Sequence, residues 1–175
     1  MSSESRYLSL VLRHKPEVAN VQMDAHGWVD IQDLIRGSRG RLTRDTVQEA
    51  VATDPKGRFA LSPDGKKIRA TQGHSVPVDL ELVAVEPPTF LYHGTTYKVF
   101  DAIRRDGIKK MDRHHVHLAE ELGTAESIGI RKGSPVVFRI RAKDMHEFGH
   151  KFYRSENGVW LVDFVPPDFV TQERA

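Results

Sequence analysis

The sequence predicts an α+β protein built as two lobes. Two observations point to this. Three helix patterns followed by a two-stranded hairpin occupy residues 1–78, the order of a winged helix, and short strands alternating with short helices occupy residues 89–175. Residues 79–88, ending in Glu86-Pro-Pro88, read as the junction.

In the first lobe, Ser5 is placed to cap an amphipathic helix from Arg6 to about Arg13, with Leu8, Val11 and Leu12 on its buried side and Pro16 as its stop. His26-Gly-Trp-Val-Asp-Ile31 reads as a turn and short strand. Asp30 then caps a helix ending near Gly37, and Thr43 caps the next, with Val47, Ala50 and Val51 turned inward. Between these helices lies a basic loop, Arg36-Gly-Ser-Arg-Gly-Arg41. Arg58–Leu61 and Lys67–Ala70 are strands joined by the turn Ser62-Pro-Asp-Gly65.

In the second lobe, Phe90-Leu-Tyr-His93 is a strand running into Gly94-Thr-Thr96. A helix follows from about Lys98 to Arg105, ended by Gly107. Val116–Leu118 and Pro135–Ile140 are strands, and Glu120–Gly129 and Lys143–Phe148 are helices. Phe152–Arg154 and Val159–Val162 pair around Asn157-Gly158. Met111, Met145 and the scattered phenylalanines read as packing, and Trp160 as core.

The chain has 175 residues and no cysteine, which excludes disulfides, thiolate metal sites and a cysteine nucleophile. No apolar run approaches a membrane span, and Met1-Ser-Ser-Glu-Ser-Arg6 carries no apolar signal core, so a cytoplasmic protein with no membrane partner is expected. The net charge of +2 does not by itself announce nucleic acid, although residues 1–75 are the more basic part.

Several segments carry reactive side chains. Arg13-His14, at a helix end, can grip a phosphate and exchange a proton, or simply complement the helix dipole. Arg58 and Arg69 sit on the hairpin, where arginine is usually a surface residue. Gln72-Gly-His-Ser75 can bind RNA, brace two lobes, or form a polar turn. His93-Gly94-Thr95 ends an apolar strand. The glycine leaves room for a bulky ligand and its neighbours can bond a ribose or amide. It is neither a dinucleotide fingerprint nor a P-loop. Arg113-His-His-Val-His117 places His115 and His117 on one strand face. Zinc ligation, a ligand-binding face or a structural histidine all fit that spacing.

Taken in order, eight segments resemble the RNA 2′-phosphotransferase family, known from tRNA splicing. They are Leu10-Val-Leu-Arg-His-Lys-Pro16, Gly27-Trp-Val-Asp-Ile31, Lys56-Gly-Arg-Phe59, Ile68-Arg-Ala-Thr-Gln-Gly-His-Ser75, Leu91-Tyr-His-Gly-Thr95, Arg113-His-His-Val-His-Leu118, Gly133-Ser-Pro-Val-Val137 and Glu156-Asn-Gly-Val-Trp-Leu161. The resemblance implies a winged-helix RNA-binding lobe followed by an ADP-ribosyltransferase-like mixed α/β lobe. It implies a transferase that consumes NAD+ and needs no metal. An internal RNA 2′-phosphate would be removed through an ADP-ribosylated RNA, giving 2′-hydroxyl RNA, nicotinamide and ADP-ribose 1″,2″-cyclic phosphate.

By motif position the implied catalytic residues are Arg13, His14, Arg58 and Arg113. His93, Gly94, Thr95, His117, Asn157 and Gly158 would hold NAD+. Arg69, Gln72, His74 and Ser75 would hold RNA. A phosphate nucleophile is already anionic, so the arginine set would do without the glutamate that many ADP-ribosyltransferases use. The expected partner is a tRNA-like RNA bearing an internal 2′-phosphate, bound by a monomer. The alternatives are an ADP-ribosyltransferase acting on terminal phosphates of RNA or DNA, and a noncatalytic winged-helix binding protein.

Overall fold

The first helix begins earlier than its sequence suggests, because the capping serine is Ser2. In the computed structural model, which describes residues 2–131 and 133–174, the Ser2 hydroxyl accepts the Ser5 N–H at 3.1 Å and helix α1 spans Ser3–Arg13. Ser5 lies buried inside the first turn, where it cannot cap. Pro16 ends the helix and opens a 3-10 turn, Pro16–Ala19.

The chain divides into two compact units, Met1–Leu82 and Val83–Ala175. In the first, β1 (Val29–Asp30) leads into α2 (Ile31–Gly37), whose first-turn N–H groups at Gln32 and Asp33 bond the Asp30 carboxylate. Helix α3 (Arg44–Ala52) starts with a reciprocal Thr43–Thr46 capping box. β2 (Phe59–Leu61) and β3 (Lys67–Ala70) form the hairpin, closed by a Gly65 N–H to Ser62 carbonyl bond of 2.8 Å. β3 lies between β1 and β2, both antiparallel to it, in the order β1-β3-β2. Leu8 and Leu12 of α1, Leu34, Val47, Phe59 and Ile68 meet in one apolar core. Each such buried side chain contributes about 1.5–3 kcal/mol.

The second unit is organised around β4 (Phe90–Thr96). This strand continues through Gly94 to Thr96 rather than ending at His93, because residues 90–96 pair in full with β7 (Pro135–Arg141). Tyr97–Val99 is a 3-10 turn, so α4 starts two residues later than expected, at Phe100, and ends at Asp106. β5 (Ile108–Lys109) follows. β6 is Val116–Leu118 and α5 is Leu122–Ile130. α6 is Ala142–Glu147. β8 (Phe152–Arg154) and β9 (Trp160–Val162) pair across the Asn157-Gly158 turn, with β6 on the other side of β9. β10 (Phe164–Val165) pairs with β5, and β11 (Val170–Arg174) extends the β4–β7 sheet. Phe138, Ile140, Met145, Phe152 and Trp160 lie in the core of this unit. Met111 does not pack. It is 79% exposed with φ of +54°, and Phe148 is 80% exposed. Among the described residues no helix is long and apolar enough to cross a membrane. The protein is thus a mixed α/β chain of short helices and small antiparallel sheets.

Candidate functional site

Two sets of predicted residues are organised in the first unit. At the end of α1, the Arg13 carbonyl accepts the N–H groups of Ser75 at 2.8 Å and Val76 at 3.3 Å. The His14 Nδ1 lies 2.9 Å from the Ser75 hydroxyl. The segment leaving β3 is therefore tied back onto the helix that carries Arg13 and His14. Gly73 makes this possible. Its φ of +84° suits glycine, and a Cβ there would lie 3.6 Å from a terminal guanidinium nitrogen of Arg13. His74 is 2% exposed and packs near Gly27, so it belongs to the framework of this corner. Gln72 is half-buried.

Arg58 enters on the other side of the hairpin. Its carbonyl accepts the Thr71 N–H at 2.9 Å, which ties the start of β2 to the end of β3 just before Gln72. The Arg58 guanidinium is paired with Asp54, whose side chain is 2% exposed and which also accepts the Arg58 N–H at 2.6 Å. Asp54 has no counterpart in the sequence reading. An acid four residues before an arginine in a Pro-Lys-Gly turn has no periodic signal, yet it fixes where that arginine points. Arg69 lies on β3 with its guanidinium 4.5 Å from the centre of the Trp28 ring, a cation–π contact that the sequence did not announce.

In the second unit, the Tyr92 and Ala119 backbones exchange two 2.8 Å hydrogen bonds, joining β4 to the end of β6. This juxtaposition sets His93 against His117. The His93 Nδ1–H donates to the His117 carbonyl at 3.1 Å, and because a carbonyl only accepts, the proton of His93 sits on Nδ1. Arg113 donates to the His117 Nδ1 at 3.3 Å, so that nitrogen of His117 is an acceptor. His93, His117 and Arg113 form one cluster, with Arg113 exposed.

His115 lies outside the strand, which begins at Val116, so the expected shared strand face with His117 is not formed. The His115 ring meets Tyr153 edge-on at 5.5 Å, and burial, followed by the electrostatic influence of His114 and Lys110, holds its pKa below the usual imidazole value.

Gly94 has a structural reason rather than a ligand-sized space. A Cβ there would fall 1.7 Å from the Ala125 carbonyl, because α5 crosses directly over β4. Thr95 is buried under the same helix, next to Gly129. Asn157 is held by the Ser155 hydroxyl at 2.7 Å, and Gly158 turns the hairpin with φ of +78°. Beside them Glu120, which the sequence offers only as the start of a helix and which lies two residues before α5, accepts from Arg154 at 3.1 Å and from the Trp160 indole at 3.2 Å. His93, His117 and Asn157 offer ring nitrogens and an amide to a ligand, and Arg113 adds a cation beside His117.

Comparison with known proteins places this chain among close relatives. The family model described as RNA 2′-phosphotransferase, Tpt1 / KptA family, matches residues 2–164. A protein of Hahella chejuensis is 48% identical over 174 residues, covering 98% of this chain and 94% of its own. A protein of Rhodopirellula baltica is 49% identical over 173 residues, covering 97% and 94%. One of Pseudomonas aeruginosa is 46% identical, covering 98% and 97%. Each of the three bears the name "Probable RNA 2'-phosphotransferase".

Proposed function

The chain belongs to the RNA 2′-phosphotransferase, Tpt1 / KptA family, and we propose that it removes an internal 2′-phosphate from RNA with NAD+ as the consumed co-substrate. The products are 2′-hydroxyl RNA, nicotinamide and ADP-ribose 1″,2″-cyclic phosphate, reached through an ADP-ribosylated RNA. The observation that carries this reading is the corner at the end of α1, where Arg13, His14 and Ser75 are locked together by the bonds from residues 75 and 76 to the Arg13 carbonyl.

In this reading the first unit, with α1–α3 and the β1-β3-β2 sheet, is a winged helix that receives RNA. The second is an ADP-ribosyltransferase-like lobe that receives NAD+, which supplies an electrophilic ribose carbon when bound. A 2′-phosphate is anionic at neutral pH, so the reaction needs charge placement more than proton abstraction. Arg13 and Arg58 hold the phosphate by guanidinium forks. His14, oriented by Ser75, stands within reach to hold or move a proton at a phosphate oxygen. Arg113, steadied by His117, is the cation that the second unit supplies to the reaction. His93, Thr95, Asn157 and the Gly94 and Gly158 backbones bind the dinucleotide. Arg69, Gln72 and His74 support the RNA.

The deciding experiment incubates a short RNA bearing one internal 2′-phosphate with the protein, with and without NAD+, and resolves all products. The proposal expects NAD+-dependent formation of 2′-hydroxyl RNA and one nicotinamide per phosphate removed. A stable ADP-ribosylated terminus with the 2′-phosphate retained would assign the terminal-phosphate reaction instead. No nicotinamide release would reject both.

A further inference from the structure

Arg36 lies in the last turn of α2, the loop that follows carries Arg39 and Arg41, and Arg44 opens α3. All four are exposed, and none belongs to the residues assigned above to phosphate or dinucleotide. Their setting is fixed. Ser38 is buried, its hydroxyl donates to the Ile35 carbonyl at 2.7 Å and accepts the Leu42 N–H at 3.0 Å, and Leu42 is anchored in the core. The reversal is made by two successive left-handed residues, Arg39 with φ of +53° and Gly40 with φ of +85°. A left-handed backbone is disfavoured for arginine, and here it sets a guanidinium on the tip of a pinned loop.

Arg36 and Arg39 line a cavity shared with Glu17 and Asp33, and Arg41 and Arg44 extend the cations beyond it as a band. The Arg41 guanidinium lies 5.3 Å from the centre of the Tyr7 ring on α1, and Arg44 donates to the Gly65 carbonyl in the hairpin turn at 3.1 Å. Arg36 pairs with Asp33 at 3.1 Å. The band therefore runs from the side of α1, across the loop, to the tip of the hairpin. A compact anion needs convergent donors, whereas spaced guanidinium forks suit a repeating phosphodiester. Tyr7 and Arg13 are separated by roughly 9 Å along the helix axis, more than a single phosphate group can bridge.

We infer that the Arg36–Arg44 band is an accessory binding surface for the sugar–phosphate backbone of the RNA flanking the 2′-phosphorylated nucleotide. This rests on the RNA-directed reading above. The surface sets affinity for long RNA and takes no part in the reaction itself.

The test uses the full chain carrying Arg39→Asn and Arg41→Gln together, asparagine being tolerant of the left-handed backbone at 39. Binding of a 2′-phosphorylated stem-loop is measured over a salt series, and NAD+-dependent turnover of a 2′-phosphorylated trinucleotide is measured in parallel. The expected result is at least about tenfold weaker stem-loop binding with trinucleotide turnover unchanged. The slope of log affinity against log salt should flatten by about 1.4 for single-stranded contacts or about 1.8 for duplex contacts. Unchanged affinity and slope would show a solvated surface and overturn the inference. Equal losses on both RNAs would also overturn it. A wild-type protein that binds the stem-loop through these arginines but releases no nicotinamide would leave the surface standing and reject the proposed reaction.

Discussion

Asp54 holds Arg58 at two points, accepting its backbone N–H and its guanidinium from a carboxylate shielded from water. Removing that carboxylate leaves a guanidinium without its fixed partner in a site where Arg58 is only 16% exposed. Asp54→Ala is expected to destabilise the first unit by roughly 3 kcal/mol, read by urea denaturation. Asp54→Asn keeps the shape and should lower turnover about tenfold by loosening Arg58. In an Arg58→Ala background the same change should cost nothing more in turnover. Additive losses would mean that Asp54 acts independently of that arginine.

Arg13→Ala removes a guanidinium whose own carbonyl is already tied to residues 75 and 76, so the helix end should survive. Phosphate removal is expected to fall at least about a hundredfold with thermal stability nearly unchanged. Ser75→Ala, which removes the hydroxyl 2.9 Å from the His14 Nδ1 and 3.5 Å from the Arg13 carbonyl, should cost about tenfold. Near-normal turnover of Arg13→Ala under single-turnover conditions would withdraw its assigned role.

Gly94→Ala places a methyl carbon 1.7 Å from the Ala125 carbonyl, a separation no rotamer change can relieve because both groups are backbone-bound. The expected cost is about 3 kcal/mol or more, seen as a large drop in melting temperature or loss of soluble protein. A variant as stable as the parent would mean that α5 moves off β4 easily.

His26 is held above the usual imidazole pKa, first by its hydrogen bond to the Asp79 carbonyl and then by the Glu81 carboxylate. A raised folded-state pKa contributes stability that is fully present below the ordinary histidine value and is lost as pH rises through the raised value. The imidazole resonances of His26 should therefore titrate above those of a free histidine. His26→Gln should flatten the dependence of melting temperature on pH across that window. A normal titration midpoint for His26 would remove the premise.

Local chemistry was legible in the sequence wherever one short segment carried the whole signal. Asp30 and Thr43 cap their helices as read, and Ser62-Pro-Asp-Gly65 turns the hairpin. Ser2 outcompeted Ser5 as a cap because both are serines and only packing distinguishes them. β5, β10 and β11 left no pattern, being strands of two to five residues whose partners lie far along the chain. The candidate site divides in the same way. Arg13, His14 and Ser75 were visible as reactive types, while Asp54 and Glu120 owe their positions to contacts that spacing does not encode. Gly94 shows in the sequence only that a side chain is missing and not what fills the space, which is the Ala125 carbonyl of α5.

The two N–H groups that converge on the Arg13 carbonyl also change what that end of α1 offers to solution. A helix C-terminus normally turns bare carbonyl oxygens outward, and their partial negative charge repels anions. Here residues 75 and 76 cover the outermost one with their own amides. The local field beside Arg13 is left cationic at a place where helix geometry alone would have opposed it.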